Sequence, residues 1–267
     1  KEELLQFTTG RREVVWALES IAEWRNLFSD AARLLLALGE AENETRANNA
    51  SGVFADLFSL GWGTVASTEA PPQERFPVLK EAIESSSKER RQLALNACDQ
   101  ALESRFFARD IYRRQGLRKE PQLWMPETHK ERFDAHREVW QLIVGKLEFL
   151  PEDEQQQGVN ILLKRARGLV RIQPLADMVI KTLKELAKKP YVDIKEVLTR
   201  VVQILHYEGK DFPQKTRKRL EQLRNDLTGS DFSSLMKRYV GMYLLEDKFD
   251  EEGNRVDILQ DRIQELA

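Results

Sequence analysis

Helix pairs that begin near Glu152, Tyr191 and Asp231 lie about 39 and 40 residues apart, and this recurrence constrains the fold more than any other property of the chain. One amphipathic pair cannot bury its apolar face alone, so units spaced in this way must stack on their neighbours. The spacing predicts an all-α chain built as an α-solenoid of stacked antiparallel helix pairs. An irregular helical bundle uses the same apolar stripes around one core and is the alternative. Three segments organise the chain: N-terminal repeats over 1–104, an irregular connector over 105–127, and C-terminal repeats over 128–267, forming one continuous solenoid.

Helical periodicity runs through most of the sequence, and convincing strand alternation is absent. Val14, Leu18, Ile21 and Ala22 make a first stripe, and Phe28, Ala31, Ala32, Leu35 and Leu38 a second. Val53, Phe54, Leu57 and Phe58 suggest a short helix before the Gly61-Trp62-Gly63 turn. Proline costs no hydrogen bond at the first helical position, so Pro71-Pro72 marks a start. Phe76, Leu79 and Ile83 line the helix that follows. Ser86 with Glu89 predicts a capping box for the next one, on which Ala94, Ala97, Cys98, Ala101 and Leu102 are buried. Thr128 with Glu131 predicts another box, opening a helix to about Leu150 that carries Phe133, His136, Trp140, Ile143, Val144 and Leu147 on its face. Pro174, Asp193 with Glu196, and Pro213 open the later helices. Gly229 stops the last of these, a further helix bears Phe232, Leu235 and Tyr239, and the chain closes on Val256, Leu259, Ile263 and Leu266.

Forty-two lysines and arginines nearly balance 44 aspartates and glutamates. No global field draws the chain toward nucleic acid or anionic lipid, so any basic site must be local. The single cysteine rules out an internal disulfide and a cysteine-rich zinc module, and Cys98 on its alanine stripe reads as a packing residue. No apolar run approaches the roughly 18 residues a membrane span needs, and there is no signal-peptide pattern. A cytoplasmic protein with no membrane contact is expected. The chain enters helical pattern directly after Lys1, which suggests a piece cut from a longer protein.

Nothing in the sequence assembles a reaction. His129 and His136 stand seven apart on one helix, where a shared metal would want four-residue spacing or another ligand. Gly61-Trp62-Gly63-Thr64 lacks the spacing and the lysine of a phosphate loop. No catalytic residue, metal or cofactor is therefore expected, and the chain reads as non-enzymatic. Binding chemistry concentrates instead in "SRFFARDIYRRQGLRKEPQLWMP", residues 104–126. There Arg105, Arg109, Tyr112, Arg113, Arg114, Arg118 and Trp124 have the composition of a surface that anchors a protein partner or stacks on bases beside phosphates. The competing reading is structural: Phe106, Phe107 and Ile111 plug a gap between units while the arginines pair with nearby acids. Further basic stripes are Lys164, Arg165, Arg167 and Arg171, and Lys215, Arg217, Lys218 and Arg219.

In residues 70–104, Leu79 and Ile83 followed by Arg91, Ala94, Ala97 and Ala101 resemble a HEAT unit, with Ser85-Ser86-Ser87 in place of the aspartate usual in the turn between its helices. The succession Arg12 to Leu38, "NNASGVFADLFS" and "APPQERFPVLKEAI" is similar to helical arrays downstream of the nucleotide-binding module in prokaryotic signal-transducing ATPases of the STAND type, many of them antiviral defence proteins. That resemblance implies a sensor whose partner is a protein ligand or the rest of its own longer chain, with the ATPase outside these residues. A nucleic-acid-binding helical repeat with a basic groove is the second choice.

Overall fold

The computed structural model describes residues 1–46, 48–60, 68–104 and 120–228, together with the backbone of 248–249 and 255–256. The protein is all-α, as the periodicity predicts. The chain divides into two compact units, Lys1–Ile161 and Leu162–Ala267. The first contains α1 (Glu2–Gln6), α2 (Arg11–Ala22), α3 (Phe28–Glu40), α4 (Ala50–Asp56), α5 (Pro72–Ile83), α6 (Lys88–Ala101), α7 (His129–Lys146) and the first half of α8 (Glu152–Val170). The second contains the rest of α8, then α9 (Gln173–Leu186), α10 (Ile194–Glu208) and α11 (Gln214–Thr228). Among the described residues, no helix is long and apolar enough to cross a membrane.

Local signals set most of the starts. The Thr128 side chain accepts from the Glu131 amide at 3.2 Å, and Asp193 accepts from the Lys195 amide at 2.9 Å, so each satisfies an orphan donor of its first turn. Pro72 opens α5. Gly10, the N-cap of α2, has φ 75°, a left-handed conformation that a side chain would strain. The cap of α6 is Ser87 rather than Ser86, and its hydroxyl bonds Glu89 instead of the backbone.

In unit 1, α3 packs against α2, α4, α5 and α6, while α5 and α6 both pack against α7. Phe28, Leu35, Phe54, Phe58, Leu79 and Trp140 are fully enclosed. One expected stripe is rotated. On α2 the buried face is Val15, Leu18 and Ala22, and Val14 and Ile21 point outward. The helix is apolar on both sides, so periodicity alone could not choose between them. Val144 also lies outside the α7 core face. In unit 2 the core is Leu175, Val179 and Leu183 of α9, Val197, Val201 and Leu205 of α10, and Leu220 and Leu223 of α11. Of the closing residues, Val256 pairs with Lys248 in a two-residue antiparallel ladder, with Phe249 opposite Arg255.

Arginines complete the helix C-termini that sequence capping leaves open. A helix ends with carbonyls that lack intrahelical donors, and a guanidinium can serve several at once. Arg11, fully buried, donates to the carbonyls of Leu38 and Ala41 at the end of α3, at 2.7 and 2.9 Å. Arg91 donates to the carbonyls of Ser85 and Ser86 beyond α5, both at 2.8 Å. Its other edge holds the buried carboxylate of Glu154 on α8 at 2.5 and 2.8 Å. Arg91 thus links the serine turn to Glu154 on α8. Lys88 pairs with Asp153 beside it.

Candidate functional site: the seam over Arg75

Of the seven residues singled out in the connector, Arg105, Arg109, Tyr112, Arg113, Arg114 and Arg118 lie outside the described residues. Trp124 is placed, and it marks a site that periodicity did not reveal. The non-helical segment 120–126 is laid on unit 1 by its backbone. The Trp124 amide donates to the Thr68 carbonyl at 2.8 Å, and the Gln122 amide donates to Glu69 Oε1 at 2.8 Å. The other oxygen of Glu69 accepts from the Arg25 amide at 3.3 Å. The Glu69 amide in turn donates to the Glu23 carbonyl at 2.8 Å. One carboxylate therefore ties three distant backbone segments together.

Beneath the tryptophan lies Arg75, which is wholly buried. Its Nη1 donates to the carbonyls of Leu57 and Ser59, at 3.1 and 3.0 Å, and so closes the end of α4. Its guanidinium carbon stands 5.1 Å from the centre of the Trp124 ring, within cation–π range. Among the described residues, Nε and Nη2 meet no hydrogen-bond partner. Burial pulls the Arg75 pKa down to about 9, which still leaves it charged at neutral pH. A buried cation held by carbonyl dipoles and an aromatic face fixes the tryptophan more firmly than packing alone. The neighbouring Arg25 is exposed and pairs with Glu74, its Nε 3.0 Å from both carboxylate oxygens. Next to the anchored ring, Met125 is 59% exposed.

A sequence signal for Arg75 existed. Pro72, Arg75, Leu79 and Ala82 fall at i, i+3, i+7 and i+10, which puts an arginine in the apolar stripe of α5. Glu69 had none, because its partners lie far away in the chain.

The other chemical candidates are packing residues. Cys98 is buried, and burial, reinforced by the charge of Asp99, pushes its thiol well above the ordinary range. His136 is enclosed on α7. Burial and then the Arg132 charge hold its pKa down to about 4, against a smaller opposing pull from the Ala101 backbone. No group of three or more histidines, cysteines or acids among the described residues is arranged to hold a metal. The stripe on α11 is dispersed around the helix: Arg217 is buried, whereas Arg219 pairs with Asp177. The stripe at the end of α8 and just beyond it brings Arg167 and Arg171 together at Glu208. No protein family model, curated protein or solved structure matches the chain.

Proposed function

We propose that the chain is a non-enzymatic helical-repeat region that recognises a protein, either a separate ligand or another part of its own longer chain. The observation that carries this reading is the seam itself. A non-helical segment is strapped to the helices through Gln122 and Trp124, its tryptophan is pinned over Arg75, and Met125 remains open to solvent. A rigid aromatic anchor beside an adaptable, exposed methionine is a composition suited to protein recognition. The similarity to arrays of STAND-type ATPases supports placing this region as the sensor of such a cytoplasmic protein, with the helix pairs stacked as a solenoid.

Affinity capture with the purified chain, compared with its Met125→Glu variant, tests the binding role. A protein retained by the parent and lost from the variant is expected, with both chains melting at the same temperature. Equal retention by the two removes the seam as the contact surface. The wider assignment has its own check: the full-length gene must encode a phosphate loop, and deleting this region must uncouple nucleotide hydrolysis from the captured protein.

A further inference from the structure

A second cluster stands in unit 2, independent of the seam. Arg167 in the last turn of α8 and Arg171 just beyond it converge on Glu208 at the end of α10. Arg167 Nε lies 2.9 Å from Oε1, and Arg171 Nε 3.2 Å from Oε2. The carboxylate is almost buried, whereas Arg171 is 62% exposed. Arg200, two turns earlier on α10, donates from Nη1 to Gln203 at 2.9 Å, and its buried Nε meets no partner among the described residues. Burial, and then the like charge of Arg167, lowers the Arg200 pKa. Arg167 and Arg171 thus share one carboxylate, and Arg200 stands within electrostatic reach of Arg167. Beside them the Tyr207 ring, 47% exposed, lies 4.3 Å from the Arg167 guanidinium carbon, with His206 edge-on at 4.6 Å.

We propose that this cluster, Arg167 and Arg171 at Glu208 with Arg200 and Tyr207 beside Arg167, binds single-stranded nucleic acid. Phosphates meet the arginines, and a base stacks against the Tyr207 platform. Glu208 acts as a positioning residue: it orients the forks of Arg167 and Arg171, but one carboxylate cannot neutralise both cations. An anion arriving at the exposed Arg171 relieves the crowding of like charge around Arg167. Each phosphate contact adds to the salt dependence, with a slope of about −0.7 per contact for single strands. A stacked base adds affinity that does not depend on salt. The arginine–aromatic pairing favours a nucleic-acid strand over an acidic polypeptide, which would use the cations and leave the ring idle.

Fluorescence anisotropy with a labelled 20-nucleotide oligothymidine, titrated from 50 to 200 mM salt, tests the proposal. The parent chain is expected to bind with affinity that falls with salt. Arg171→Ala and Arg200→Gln are expected to weaken binding several-fold and flatten the salt slope. Tyr207→Ala should weaken it about 5-fold or more with the slope unchanged. Lys218→Ala on α11 serves as a surface control, and circular dichroism confirms that each variant folds. The proposal is overturned by absence of binding at 50 mM salt, or by binding that Arg171→Ala leaves intact. It is also overturned if polyglutamate competes as well as unlabelled oligonucleotide, which would assign the cluster to an acidic polypeptide. All of these outcomes concern unit 2 and leave the protein-binding reading of the seam to its own test.

Discussion

His136 shows how a single side chain can govern the response to acid. Its folded pKa is held near 4, whereas an unfolded histidine titrates near 6.5. Between those values the unfolded chain binds a proton that the native chain refuses, so native stability falls as pH drops from about 6.5 toward 4. At pH 5 the loss from this residue is about 2 kcal/mol relative to neutral pH. Urea unfolding of the parent and of His136→Met at pH 7 and pH 5 should show the variant losing distinctly less over that interval. Parallel losses would mean that His136 is not the group responsible. The sequence placed this histidine on the apolar face of α7, because position within a helical stripe is a local property. The anchoring of Trp124 was invisible at the same stage, since the partners that fix it, Thr68 and Arg75, lie some fifty residues away.

Helix crossings at the element scale depend on how closely two backbones approach. Gly158 on α8 sits where an added Cβ would come within 2.7 Å of Leu147 Cδ2 and 3.5 Å of Ile143 Cγ2. Gly145 on α7 has nothing within 4 Å of the same position. Gly145→Ala should therefore gain close to the full helix-propensity difference, about 1 kcal/mol. Gly158→Ala makes the same gain but must displace a buried leucine, an overpacking cost of about 1–3 kcal/mol, for a net loss of about 1 kcal/mol. The two variants should move the urea midpoint in opposite directions, and a shared direction would show that the α7–α8 crossing has room to spare. The Thr128–Glu131 start of α7 was legible because a cap is written within four residues. The faces of α2 were not, because its two apolar sides compete equally until α3 packs against one of them.

For the whole molecule, the recurrence near forty residues located the starts of α8 and α10 to within three residues, at Glu152 and Ile194. The start expected near Asp231 lies outside the described residues. Whether the pairs continue as a solenoid is a question of dimension. A compact 267-residue chain has a radius of gyration of about 18 Å, and a stacked array must exceed it clearly. Small-angle X-ray scattering should return the larger value if the solenoid proposal holds, and a value near 18 Å would favour the bundle. Arg11, Arg75 and Arg91 add a consequence that bears on how such a chain can change over time. Each grips peptide carbonyls, which every residue type carries, so the grip itself makes no demand on side-chain identity. The turn at Ser85–Ser86, with Ser86 exposed, can then vary in sequence while its path stays fixed, which leaves it open to new specificities without rebuilding the scaffold, whereas Leu57, Phe58 and Ser59 are also held by burial.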